Sequence, residues 1–127
     1  MTALEQAHYT WERREYLDEQ GRLDAAIALA EWGVLSARQI SAITGVQWWK
    51  AAENSKKTDR TGGRLNPETL PDLMALSQAR ARGEMAPDAA RRILEGGTTA
   101  TVASRLTNVP ETTLKRWAAR KPKEEAA

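Results

Sequence analysis

Apolar residues along this chain recur three and four positions apart in short runs, and glycine or proline punctuates the gaps. Such spacing marks one buried stripe per helix, not the alternation of a half-buried strand. Thr2, with Glu5 three residues on, opens the first segment as a capping box. That segment reads as helix over 2–20, with Leu4, His8, Trp11, Tyr16 and Leu17 as its stripe and Gly21 as its stop. Leu23, Ala26, Ile27 and Ala30 predict a second helix over 23–32, ended by Gly33. Ser36 and Gln39 form another capping box, opening a third helix that ends at Thr44. Gly45 then separates it from a fourth over 47–54.

Residues 56–64 are basic and surround Gly62 and Gly63, which predicts a flexible arm. Asn66, Pro67 and Glu68 supply an N-cap, a first-position proline and an acidic first turn. Leu70, Leu73, Met74 and Leu76 carry that helix over 67–82, before Gly83. Pro87 and Asp88 open the next, which stops at Gly96 and Gly97. Two last helices fall at 99–106 and 110–120, and 121–127 reads as a frayed tail. The expected fold is all-α, about eight helices in two parts, 1–64 and 65–127, with a helical linker between two repeated units.

Composition agrees. Alanine accounts for 22 of the 127 residues, isoleucine and valine for four each, and phenylalanine is absent. That balance favours helix over sheet. The lack of cysteine excludes disulfides, thiolate zinc sites, iron–sulfur clusters and cysteine nucleophiles. His8 alone supports neither a Ser–His pair nor a multi-histidine metal site. No apolar run approaches the roughly 18 residues of a spanning helix, and no signal-type apolar region follows the N-terminus. The carboxylate pairs Glu12/Glu15 and Asp18/Glu19 fall on a solvated helix face, and no nucleotide-binding loop is present. These features predict a cytoplasmic, non-enzymatic protein without cofactor or metal.

Charge is distributed unevenly behind a net of +2. Residues 1–31 carry a net of −4, 32–66 a net of +4, 67–95 a net of −1 and 96–127 a net of +3. Two basic blocks thus alternate with two acidic ones.

A repeat overlaps the basic blocks. Residues 41–46 (Ser-Ala-Ile-Thr-Gly-Val) match 104–109 (Ser-Arg-Leu-Thr-Asn-Val) at an offset of 63, and Gly33 falls opposite Gly96. Each unit reads as short helix, tight turn, helix. The turn needs a left-handed residue, which glycine supplies freely and asparagine tolerates. A small serine four residues earlier permits close approach of the helices. Val46 with Ala51, or Val109 with Leu114, pins the second helix to the core. Residues 99–117 and, with Trp48 and Trp49 in unusual places, 36–54 resemble the helix-turn-helix of phage repressors, resolvases and mercury-resistance-type regulators. The chain with its 58–64 stretch also resembles small helix-turn-helix proteins of actinobacterial phages.

That resemblance implies a double-stranded DNA binder. Its second helices would read base edges in the major groove. In the C-terminal unit the candidates are Glu111, Thr112, Thr113, Lys115, Arg116 and Arg120, with Leu114 and Trp117 facing inward. In the N-terminal unit they are Gln47, Trp48, Lys50 and Asn54, followed by Lys56, Lys57, Arg60 and Arg64 of the basic arm. Trp48 and Trp49 read first as packing residues, one anchoring the core while the other lies against sugar or another subunit, and this reading is preferred to base intercalation. Two linked readers predict a bipartite or direct-repeat site. Trp11, Tyr16 and Leu17 either cover the first unit's core or make residues 1–31 a self-association surface. A transcriptional repressor or regulator is the leading function. A phage small terminase subunit, partnered by a large ATPase subunit, is the alternative.

Overall fold

The computed structural model describes residues 1–53 and 63–120, and among them every regular element is helical. The chain divides into two compact units, Met1–Gly62 and Gly63–Ala127. The first contains α1 (Ala3–Arg13), a 3-10 turn (Arg14–Tyr16), α2 (Glu19–Ala30), α3 (Ala37–Thr44) and α4 (Trp48–Glu53). The second contains a 3-10 turn (Pro67–Thr69), α5 (Leu70–Ala81), α6 (Pro87–Glu95), α7 (Ala100–Thr107) and α8 (Glu111–Ala118). The expected tail, 121–127, lies outside the described residues.

Both capping boxes form. The Glu5 N–H donates to Thr2 Oγ1 at 3.1 Å, and the Thr2 N–H returns to Glu5 Oε1 at 2.9 Å. Ser36 and Gln39 make the same exchange at 3.2 and 2.8 Å. Each box satisfies two backbone donors that a helix start otherwise leaves to water. The bond from the Thr2 backbone, joined by that of its hydroxyl, holds the Glu5 carboxyl below its ordinary pKa.

The first segment departs from the single helix over 2–20. α1 stops at Arg13, and Asp18 starts a new helix by accepting the Gly21 N–H at 2.7 Å. Gly21 therefore sits in the first turn of α2, where a strong N-cap outweighs its low helix propensity. The Arg22 guanidinium stabilises the break, donating to the carbonyls of Arg14 at 2.8 Å and Leu17 at 3.3 Å. The buried stripe of α1 is Leu4, Ala7 and Thr10, not His8 and Trp11. His8 pairs instead with Glu12 at 2.8 Å, and Trp11 lies under the Arg14 guanidinium. Tyr16 is 86% exposed and covers no core.

The 63-residue repeat extends well past the six matched positions. In the first unit α1 packs on α2 and α3; in the second α5 packs on α6 and α7. Buried residues coincide at the same offset: Ala7 with Leu70, Thr10 with Leu73, Ala26 with Ala89, Ala30 with Ile93, Ile40 with Ala103 and Ile43 with Leu106. The N-caps Ser36 and Thr99 correspond as well. Gly33 and Gly96 do not. Gly33 is left-handed at φ 70°, whereas Gly96 is right-handed at φ −74° and its neighbour Gly97 takes φ 95°. Gly96 is needed for space: a Cβ there would lie 2.7 Å from Thr69 Cγ2.

That contact belongs to a polar seam in the second unit. Thr69 Oγ1 and Thr98 Oγ1, both buried, are 2.7 Å apart. The Asn66 N–H donates to Thr98 Oγ1 at 2.9 Å, and Asn66 Nδ2 donates to the Gly96 carbonyl at 2.8 Å. Asn66 also caps the 3-10 turn through the Glu68 N–H at 3.2 Å. The residue predicted to start a helix thus also fastens the loop between α6 and α7.

Two predictions follow from these helix starts and turns. Because folding depresses the Glu5 pKa, its contribution is present above the unfolded-state value and is lost as pH falls through the folded-state value. Amide protection factors in the first turn of α1, taken relative to the intrinsic exchange rate at each pH, should therefore fall on acidification, whereas Glu5→Gln should start less protected and lose that pH step. Gly45→Ala forces a side chain to φ 79° and places its Cβ 2.7 Å from Arg22 Nη1. It should cost about 1–2 kcal/mol in urea unfolding, while Asn108→Gly should be close to neutral.

Candidate nucleic-acid interface

The two matched segments form the same turn to the level of single hydrogen bonds. Thr44 Oγ1 donates to the Ile40 carbonyl at 2.9 Å and accepts the Val46 N–H at 3.2 Å. Thr107 Oγ1 donates to the Ala103 carbonyl at 2.7 Å and accepts the Val109 N–H at 3.3 Å. Between them Gly45 (φ 79°, ψ 0°) and Asn108 (φ 63°, ψ 15°) are left-handed. Their N–H groups donate to the Ser41 and Ser104 carbonyls at 2.8 and 2.9 Å. The repeated threonine was visible in the sequence; its role as a hydroxyl bridge between helix and turn was not anticipated.

A second equivalent pair joins the helices beyond the turn. The Arg38 guanidinium of α3 lies 4.8 Å from the Trp48 ring centre of α4. At the matching positions, Thr101 Oγ1 of α7 donates to Glu111 Oε1 of α8 at 3.0 Å. Neither Arg38 nor Thr101 was singled out in the sequence. Only the repeat register, extended upstream of residue 41, would have found them.

In the second unit Val109, Leu114 and Trp117 are buried, as the spacing predicted. A helix anchored by Leu114 and Trp117 presents Thr112 and Arg116 on its opposite ridge, with Lys115 beside them. All three are exposed, and neither Lys115 nor Arg116 is ion-paired among the described residues. Glu111 and Thr113 are half-buried. Arg120 is drawn away from this ridge: Nη1 donates to the Met85 sulfur at 3.2 Å, and its carbonyl accepts from Arg91. Arg92 is likewise committed, with Nε and Nη2 at 3.0 and 2.9 Å from Asp72 Oδ1. Those bonds and the Asp72 charge raise its pKa further.

In the first unit Gln47 is exposed just before α4. Trp48 and Trp49 are each 45% exposed, so neither anchors the core. Adjacent residues on a helix diverge by about 100°, and the helix cannot turn both indoles inward. Lys50 Nζ lies 5.6 Å from the Trp49 ring centre and 3.8 Å from Glu19 Oε1. A cavity of about 260 Å³ opens beside the turn, walled by Glu19, Arg22, Val46, Gln47 and Lys50.

The predicted arm divides. Its Lys56, Lys57 and Arg60, like Asn54 of the preceding reader, lie outside the described residues, but Gly63 and Arg64 belong to the second unit. A Cβ on Gly63 would lie 2.6 Å from Val102 Cγ2, and the Arg64 carbonyl accepts the Thr99 N–H at 2.9 Å. The Arg64 side chain is exposed and passes over Gly97. Gly63 is thus a close-approach residue.

No protein-family model matches the chain, nor does any curated protein or solved structure. What it binds must be read from its own side chains. Among the described residues, no group of three or more His, Asp or Glu is placed to hold a metal ion. No helix among them is long and apolar enough to cross a membrane.

Since the threonine bridge sets the entry of α8, Thr107→Val should leave the buried Val109 N–H without an acceptor. The expected loss is about 1–3 kcal/mol in urea unfolding, largely restored by Thr107→Ser.

Proposed function

We propose that this protein binds double-stranded DNA sequence-specifically through two helix-turn-helix readers, and that it acts as a transcriptional regulator of bacterial or phage type. The observation that carries the reading is the repeated, threonine-bridged left-handed turn leading into α8, whose exposed ridge holds Thr112 and Arg116 beside Lys115. An α-helix fits the major groove with the N-terminal part of a recognition helix at base edges. Arg116 has the fork geometry to pair with guanine O6 and N7, and Lys115 suits a phosphate. Thr101 fixes one oxygen of Glu111, leaving carboxylate acceptor capacity for a cytosine amino group.

Two linked readers on a bipartite or direct-repeat site would gain about 10² or more in affinity when the chain spans both halves. The regulator would act by occupying an operator and blocking or recruiting polymerase. Exposed Met1, Tyr9 and Tyr16 favour a second reading, in which α1 supports assembly into a ring as the small subunit of a DNA-packaging terminase. Light scattering separates the two: a monomer or dimer fits regulation, a ring fits packaging.

Selection from a random duplex library, followed by titrations at several salt concentrations, tests DNA binding. Arg116→Ala should cost about 1–3 kcal/mol and relax one base position, and Lys115→Ala should lower the salt slope by about one while weakening all sequences alike. Absence of duplex binding at low salt would overturn the proposal.

A further inference from the structure

The two second helices are built on one scaffold but offer different chemistry. Where α8 has Glu111 and Thr112, α4 has Trp48 and Trp49; where α7 has Thr101, α3 has Arg38. Both indoles are 45% exposed, and each has a cation over one ring face, Arg38 at 4.8 Å from the Trp48 ring centre and Lys50 at 5.6 Å from that of Trp49, so a base would stack on the opposite face. An indole has one hydrogen-bond donor and no acceptor, so this pair is poorly suited to reading paired base edges. Its large π surface is suited to stacking on a base that has left its pair.

We propose that the α3–α4 face of the first unit binds unpaired nucleotides of DNA, with Trp48 and Trp49 stacking on separate bases and Arg38 and Lys50 serving their phosphates. The proposal rests on the DNA-binding reading and revises one part of it: α8 keeps the duplex, and α4 takes a freed strand in place of a second duplex half-site. A nucleotide supplies both things this face asks for, a flat π surface and an adjacent negative charge. An apolar protein partner would instead bury Arg38 and Lys50 without compensation. The angular spread of neighbouring residues on α4 directs the rings to two bases, not to a sandwich around one. The contact between Lys50 and Glu19 is long and solvent-exposed, with Glu19 94% exposed, so a phosphate displaces it at little cost. Arg22 and Gln47 extend the polar surface into the adjoining cavity. With α8 on duplex and α4 on a freed strand, the preferred substrate is a duplex carrying a single-stranded extension.

Fluorescence anisotropy of the full chain on three labelled DNAs tests this: a twelve-residue oligo-dT, its abasic counterpart, and a duplex selected by the protein. Oligo-dT should bind at least about fivefold tighter than the abasic strand, as stacking of one base or more implies. Trp48→Ala and Trp49→Ala should each erase about fivefold or more of oligo-dT binding, with Trp→Phe retaining part of it and circular dichroism unchanged. Equal binding of oligo-dT and abasic strand overturns the proposal, as does insensitivity to both alanine substitutions. So does a protein dimer that the W48A/W49A pair dissolves, which would assign the rings to a second copy of the chain. Duplex binding that persists while oligo-dT binding fails overturns this inference alone; failure of the wild type on both DNAs overturns the regulator as well.

Discussion

A single hydroxyl group organises each half of this protein. Thr44 and Thr107 end their helices by donating back to a carbonyl four residues earlier and accepting an N–H two residues later. Buried as they are, these hydroxyls carry a desolvation cost that only both bonds offset. The chain is thereby held in one exit direction, and the left-handed residue between the bonds completes the bend. Everything beyond the turn inherits its orientation from there: the burial of Val109 and Leu114, and hence the exposure of Thr112 and Arg116.

On that common frame the halves have diverged in surface chemistry. The second presents the Thr112 hydroxyl with Lys115 and Arg116, which have no ion pair among the described residues; the first presents two indoles with cations against them. The pair across the top of each turn shows the divergence at its smallest scale. A hydroxyl–carboxylate hydrogen bond in one unit becomes a guanidinium–indole contact in the other, and both tie the same two positions together. A geometric constraint has been kept while its chemical means were exchanged.

The sequence made some of this readable and not the rest, for identifiable reasons. The capping boxes at Thr2 and Ser36 and the breaks at Gly45 and Asn108 were readable because each rests on contacts within a few residues. The α1–α2 boundary was not: Arg22 settles it by reaching back to the Arg14 carbonyl, beyond any local spacing. The stripe of α1 misled because aromatic residues look like core, whereas its packing against α2 and α3 uses Leu4, Ala7 and Thr10. Trp48 and Trp49 misled for the same reason. Glu111 was read as facing outward and Arg120 as reaching phosphate or guanine; their commitments to Thr101 and Met85 are tertiary and lie beyond any local spacing. The repeat itself was underestimated, since its shared buried positions change size and polarity while keeping their register.

The polar seam of the second unit bears on how such a chain avoids mistaking one half for the other. Thr98 is buried among Thr69 and Asn66, whereas the equivalent position in the first unit is the buried, apolar Leu35. Tandem repeats are prone to exchange segments while folding, because each half offers a near-copy of the other's docking surface. A segment bearing Thr98, docked in the wrong half, would bring its hydroxyl to a place shaped for leucine; Leu35 in the reverse exchange would leave the Asn66 N–H without the Thr98 hydroxyl that accepts from it. The mismatch carries a penalty of about 1–3 kcal/mol for each polar group left unbonded, enough to bias each half toward assembly with its own elements.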